Sequence, residues 1–197
     1  MSKVLVALSV SVDGFITGRD PGPGRGLGDG GQLFDWYFDG DRSSTVFDGF
    51  RLSAASARVF DDVASRIGAN LAGRNTYDDS GWDAGGTPHP HAPLVVLSHR
   101  PLPANHPGQT LVTTGIDDAV AAARALAGDK DVALMGGGVT TAALAVGLVD
   151  EVILHQRPVL LGAGRPFFQT LPTPVQLHLL EAVAAPGVTH LHYEVLR

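Results

Sequence analysis

Residues 133–144 read ALMGGGVTTAAL, and this stretch decides the fold. The apolar run Val132 to Met135 predicts a short buried strand, which ends on three successive glycines; a helix then continues to about Val146. Strand, tight turn and helix in that order belong to α/β architecture. Glycines allow the backbone to approach a ligand closely, and the free N–H groups and dipole of a helix N-terminus suit a diphosphate. The dinucleotide pattern G-x-G-x-x-G is not met literally, because this register gives Gly136, Gly138 and then Thr141; no GK[ST] phosphate loop occurs anywhere. Spacing alone leaves a phosphate cradle at 136–140 and a structural turn both open. The uncharged run 132–149 approaches the length of a membrane span, but glycines and threonines break it and acids flank it, so it reads as buried strand and helix.

Outward from this core, residues 3–12 (KVLVALSVSV) predict a buried first strand, Leu94 to Ser98 a second and Thr110 to Thr113 a third. Asn70 to Ala72 should end a further short strand. Ser56 to Ile67 carries Val59, Val63 and Ile67 at i+4 spacing and predicts a helix; Asp117 to Leu126 predicts another, with Gly128 as its stop. LFDWYF at 33–38 reads as a short helix. After Asp150 the pattern changes to strands alone, with 176–183 and 188–196 paired as a hairpin across Ala185-Pro186-Gly187. The sum is one three-layer α/β/α domain over 1–197, with a mixed sheet and an antiparallel C-terminal hairpin.

Composition narrows the function. Net charge is −6 with only 17% charged residues, which argues against broad nucleic-acid binding and polybasic membrane attachment. With no cysteine, thiolate nucleophiles, thiolate metal sites and disulfides are excluded, in keeping with a cytoplasmic location. No G-x-S-x-G or H-E-x-x-H is present. His190, His192 and Glu194 alternate with Leu191, Tyr193 and Val195, so three potential ligands share a face; the polar side of an edge hairpin or a subunit contact is the plainer account, and no metal is expected. Seven glycines and two prolines between Gly18 and Gly31 mark a long loop, either a surface insertion or a cover over a ligand site.

Two further turns follow short strands. Gly73-Arg74-Asn75-Thr76 offers a close approach, a guanidinium and a hydroxyl; Ser98-His99-Arg100 lies beyond a strand's carboxyl end, where ligands of open α/β sheets bind. Each has an equally available account as a capped or satisfied surface turn.

In the order SVSVDGFI, LAGRNTYD, PLVVLSHR, VALMGGG and GLVDEVILHQRPVLLGAGRPFF, the chain resembles the dihydrofolate reductase-like superfamily. It is most similar to the branch containing the reductase domain of riboflavin biosynthesis. The resemblance implies NADPH bound across the carboxyl edge of the sheet, hydride transfer to a pterin or ribosylaminopyrimidine, and a homodimer. It implies that Gly73, Arg74, Asn75 and Thr76 hold cofactor phosphates, that Ser98, His99 and Arg100 select NADPH over NADH, and that Gly136, Gly137, Gly138, Val139 and Thr140 lie under the diphosphate and nicotinamide ribose. Ala7 and Ile16 resemble the positions flanking the nicotinamide, and Asp13 with Gly14 the start of a mobile loop. Asp35 is the best local match to the acid that holds the substrate ring, although a helix cap would explain it equally well. Arg19, Arg25 and Arg42 lie where a ribose phosphate would need cations, without an identifiable counterpart. The resulting expectation is an NADPH-dependent reductase; a dihydrofolate reductase proper and a non-catalytic dinucleotide-binding dimer are the alternatives.

Overall fold

The computed structural model describes residues 2–197. Eight strands form the main sheet: β1 (Val4–Ser11), β4 (Ile67–Gly73), β5 (Leu94–Leu97), β6 (Gln109–Val112), β7 (Asp131–Met135), β8 (Glu151–Arg157), β9 (Leu177–Ala185) and β10 (Val188–Val195). Their order is β6-β5-β4-β7-β1-β8-β10-β9. The first six of these are mutually parallel, and β10 runs antiparallel to both β8 and β9. The short strands β2 (Arg42–Ser43) and β3 (Arg51–Leu52) make a separate small hairpin between the 33–38 segment and the first helix.

The period-2 pattern of the strands sorts side chains into two cores. Val4, Val6, Leu71, Val95, Val132 and Leu134 point to one face, where α3 (Ile116–Ala127) and α4 (Gly137–Ala145) cover them. Leu5, Ala133 and Ile153 point to the other, where Val63 of α1 (Ala54–Arg66) meets them. Helices on both faces make the three layers. Ser53 caps α1 by accepting the Ser56 N–H at 3.1 Å. Ile67, expected to close that helix, instead opens β4, since its ψ of 127° is already extended. No helix among the described residues is long and apolar enough to cross a membrane.

The C-terminal hairpin is antiparallel, as expected, and its two strands sit at different depths in the sheet. β10, the last strand, lies inside the sheet, and β9 forms the edge with Leu177, Leu179 and Leu180 exposed. Pro186 and Gly187 make the turn, and the Gly187 φ of +68° requires glycine. Tyr193 and Val195 pack partly against the α3/α4 core and are not an open apolar row. In the opposite row Glu194 is exposed, while the two histidines turn inward. His190 is buried, and His192 Nε2 lies 3.1 Å from Glu151. Burial disfavours the Glu151 carboxylate, yet His192, Lys3 and Arg66 gathered on it hold its pKa well below the carboxylate range. This charged cluster sits at the start of β8, at the opposite end of the strand from the glycine turns.

The glycine-rich loop is closed on itself. Gly18 N–H donates to the Leu27 carbonyl at 2.9 Å and Arg19 N–H to Asp29 at 2.5 Å. A Cβ on Gly28 would stand 1.8 Å from the Arg19 carbonyl oxygen, so the crossing admits only glycine. Beside it, Ile16 N–H donates to the Arg165 carbonyl and Phe167 N–H to the Gly14 carbonyl, which ties residues 14–16 to a strap at 165–167. Asp13 anchors the same corner, accepting from Ser11, Leu161 and Gly162; the Ser11 bond, with the two backbone donors, lowers its pKa against desolvation.

Candidate active site

Because the six parallel strands share a direction, the turns that follow them gather at one edge of the sheet. β4 and β7 are neighbours, so the 73–76 and 136–138 turns lie side by side. Their approach is close. A Cβ on Gly136 would stand 2.2 Å from Thr76 Oγ1, and one on Gly73 would touch Val139 at 3.4 Å. Gly136 also has a φ of +98°, a conformation L side chains rarely adopt. The middle glycine, Gly137, is pressed on its far side against the strap, 2.5 Å from the Pro166 oxygen by the same construction. Gly138 alone faces open space, at the start of α4.

These turns form one end of a cleft of about 1210 Å³. Ala7, Ile16, Gly73, Arg74, Asn75, Thr76, Gly136, Gly137, Gly138 and Val139 all line it, so ten of the expected site residues converge on one surface. The other end runs beneath α1 and is walled by aromatic rings. Tyr37, Phe38, Phe47, Phe50 and Phe60 stack or meet edge to face at centroid distances of 4.7 to 6.4 Å. Its floor includes Ser9, Asn70 and His155.

Five expected residues stand apart from the cleft lining. Thr140 is fully buried and its hydroxyl donates to the Gly136 carbonyl at 2.9 Å, serving the helix start. Ser98 closes its own turn, accepting the Arg100 N–H at 2.9 Å, while His99 and Arg100 are exposed beyond it. Arg100 and Arg74 nevertheless converge, since Asp78 receives Arg74 at 2.6 Å and Arg100 at 3.2 Å. Two cations on one carboxylate leave a net positive group near the 73–76 turn.

Asp35 is the fifth. It lies on a 3-10 helix, Gly28–Tyr37, whose Trp36 is buried and whose Phe34 and Tyr37 line the cleft. The Asp35 side chain is left on the solvent side, 57% exposed and 3.4 Å from Arg157. Such a carboxylate is solvated and does not reach the cleft. Arg19 pairs with Asp29 and Arg42 with Asp41, and neither they nor Arg25 line the cleft. The cationic side chains that do line it, Arg74 and Arg165, are each paired, with Asp78 and Asp79.

A polar cluster under the aromatic end was not visible in the sequence. Trp36 Nε1 donates to Ser9 Oγ at 3.0 Å, and its ring packs on both His155 and His190. Burial pushes the Tyr37 hydroxyl up to about 12 against the opposing bond to Ser9. The two histidines meet Nδ1 to Nδ1 at 2.8 Å, and His190 Nε2 lies 2.9 Å from Ser56 Oγ. Only the register of β8 against β10, which sets His155 opposite His190, joins residues 35 positions apart.

A protein of Shewanella sp. PV-4 assigned to riboflavin biosynthesis shares 22% identity and superposes with a TM-score of 0.70 over the whole of both chains. A pyrimidine reductase-like protein of Corynebacterium diphtheriae shares 18% at a TM-score of 0.64, covering all of this chain and 92% of that one. Dihydrofolate reductase of Enterococcus faecalis, solved with NADP(H), shares 14% at a TM-score of 0.60, with 99% and 97% covered. At these identities the likeness establishes the fold, which is dihydrofolate reductase-like. Among curated proteins none matches the chain. Residues 2–191 match the RibD C-terminal domain, and the chain belongs to that family.

Proposed function

We propose that this protein is an NADPH-dependent reductase that transfers hydride to a flat N-heterocycle of the pterin type. The observation that carries the reading is the paired glycine cradle, in which Gly136 lies under Thr76 and Gly138 opens at a helix start, at the mouth of a cleft continuous with an aromatic-walled pocket. The cradle fits a diphosphate, because a side chain at Gly138 would occupy the space over the first-turn N–H groups of α4. Arg74 and Arg100 suit a ribose phosphate through the net positive charge they keep around Asp78. Bound NADPH would supply the hydride. The chain's own residues orient the partners and exclude water: Ala7 and Ile16 wall the junction of the two ends, and the rings of Tyr37, Phe47, Phe50 and Phe60 offer stacking faces to a planar acceptor.

The aromatic end favours a pterin over a phosphorylated ribosylaminopyrimidine. A phosphate dianion there would meet apolar rings, and both arginines of the cleft lining are paired with aspartates. Calorimetry with NADPH and NADH, followed by anaerobic stopped-flow absorbance across dihydropterins, folates, ribosylaminopyrimidine phosphates and quinones, tests both halves. NADPH should bind the tighter of the two, and Arg100→Ala should narrow the gap about tenfold, the scale of one exposed charge-assisted contact. Equal native affinities would defeat the cofactor assignment. Preferential turnover of the phosphorylated pyrimidine would replace the pterin.

The same reading includes a homodimer and a cytoplasmic location. Leu177, Leu179 and Leu180 on the edge strand β9 are 38%, 48% and 48% exposed, an apolar edge that a second copy would cover. Sedimentation at micromolar protein should give twice the 20.5 kDa chain mass. A monomer at that concentration would remove the dimer from the proposal.

A further inference from the structure

Resting on the reductase reading, we propose that Ser53, Ser56, His190 and His155 form a proton wire from the N-cap of α1 to the floor of the cleft. It delivers the proton that accompanies hydride transfer. The chain of contacts is unbroken. Ser53 is partly exposed, and its hydroxyl donates to Ser56 Oγ at 3.0 Å. Ser56 Oγ lies 2.9 Å from His190 Nε2, and the two Nδ1 atoms are 2.8 Å apart. Ser56, His190 and His155 are each at most 2% exposed, and His155 lines the cleft.

Two imidazoles joined Nδ1 to Nδ1 share one hydrogen, so the tautomers are locked together. With Ser56 donating to His190 Nε2, the His190 hydrogen is on Nδ1 and is donated to His155 Nδ1. The His155 hydrogen then resides on Nε2, for which the protein supplies no acceptor among the described residues. Burial, together with Arg58 near His190 and with the neighbouring ring near His155, keeps both rings neutral. A neutral pair of this kind holds a donor at the cleft without placing a charge there.

Delivery balances as follows. The His155 Nε2–H bond breaks and its proton passes to the acceptor, which has gained two electrons as hydride from a reduced nicotinamide, itself oxidised. His155 Nδ1 takes the shared hydrogen, His190 Nε2 takes that of Ser56, Ser56 takes that of Ser53, and Ser53 takes one from solvent water. Both tautomers are now reversed. Once product leaves and water reaches the floor, His155 Nε2 takes a proton from it and the wire returns one to solvent at Ser53. His155 is the group that would touch the acceptor; His190, Ser56 and Ser53 act through it.

The experiment combines nitrogen-15 NMR of the histidine rings with kinetics. In the NADPH-bound protein the shared hydrogen should couple to both Nδ1 nuclei, and Ser56→Ala should slow its exchange with water about tenfold or more, leaving Ser53 to cap α1. With 7,8-dihydropterin as acceptor, Ser56→Ala should lower kcat about tenfold at unchanged KM and NADPH affinity. His155→Ala should lower kcat about 100-fold or more and recover in imidazole buffer, the range expected for a general acid. A missing shared hydrogen, or exchange as fast in Ser56→Ala as in the native protein, would overturn the wire even if the dihydropterin is not reduced. Native NADPH affinity with native turnover in Ser56→Ala would overturn the wire alone, whereas loss of NADPH binding by the native protein would overturn the reductase reading beneath it.

Discussion

Gly138→Val should fold as stably as the native protein and lose NADPH affinity about 100-fold or more, while Gly137→Val should fail first as a fold. The two glycines are adjacent, but they meet different surroundings. A Cβ at Gly138 finds nothing within 4 Å, so the new side chain projects over the first turn of α4 into the space proposed for diphosphate. Replacing glycine in a helix end costs the fold nothing and contributes up to about 1 kcal/mol through a less flexible unfolded chain. Blocking two charge-assisted backbone contacts forfeits about 3 kcal/mol of binding, which is the hundredfold loss. At Gly137 the Cβ would lie 2.5 Å from the Pro166 oxygen and 2.8 Å from the Phe167 oxygen. Both are backbone atoms of the strap tied to Gly14 and Ile16, so overpacking there costs about 1 to 3 kcal/mol or more. Thermal unfolding beside calorimetric titration of both variants checks this. Native affinity in a folded Gly138→Val would take the glycine turn out of the cofactor site.

The contrast also shows which level of structure the sequence discloses. That ALMGGGVTTAAL is strand, turn and helix follows from local chemistry, and the structure forms Asp131–Met135 and Gly137–Ala145 there. Which glycine faces a ligand does not follow, because the strap at 165–167 arrives from 28 residues away. The same limit governs the hairpin. Alternation in 188–196 gave the strand and its two faces, but nothing local placed β9 outside β10, so His190 and His192, read as the polar side of an edge hairpin, turn inward while Glu194 stays exposed. Asp35 is a third instance: an acid among aromatics reads as a site residue until the 3-10 geometry distributes Trp36 inward and Asp35 to solvent. The convergence of the 73–76 and 136–139 positions on one surface was legible because they follow strand ends, where parallel topology gathers turns regardless of detail. The aromatic pocket and the histidine pair depend on register and on the packing of α1, and they appear only in three dimensions.

Acid should destabilise the protein well above the pH at which carboxylates titrate. His155 is pushed well below the ordinary histidine range by burial and by the adjacent His190 ring; His190 is lowered to about 4 by burial and Arg58. His89, packed against the Ala64 carbonyl, is lowered in the same direction, chiefly by burial. Each is therefore neutral when folded and protonates near 6.5 when unfolded. The unfolded chain binds the extra protons, so stability is full above about pH 6.5 and falls as pH drops toward 4. For His190 alone the loss between pH 7.5 and pH 5 is about 2 kcal/mol, and His155 and His89 add to it with the same sign. Glu151 and Asp13, whose pKa values are lowered, contribute stability that is lost as pH falls through the ordinary carboxylate values of the unfolded chain, at about 4 and below, so they add little to the change above pH 5. Urea unfolding at the two pH values measures the effect, and the midpoint should fall with little change in slope. In a folded His155→Gln, His190→Gln double variant, whose side chains do not titrate, the acid dependence over this window should shrink to the part due to His89. Equal stability of the native protein at pH 5 and pH 7.5 would mean that the pair is not held neutral; a singly protonated pair keeps one hydrogen between the Nδ1 atoms but carries another on each Nε2, which leaves Ser56 no ring nitrogen to donate to and breaks the relay.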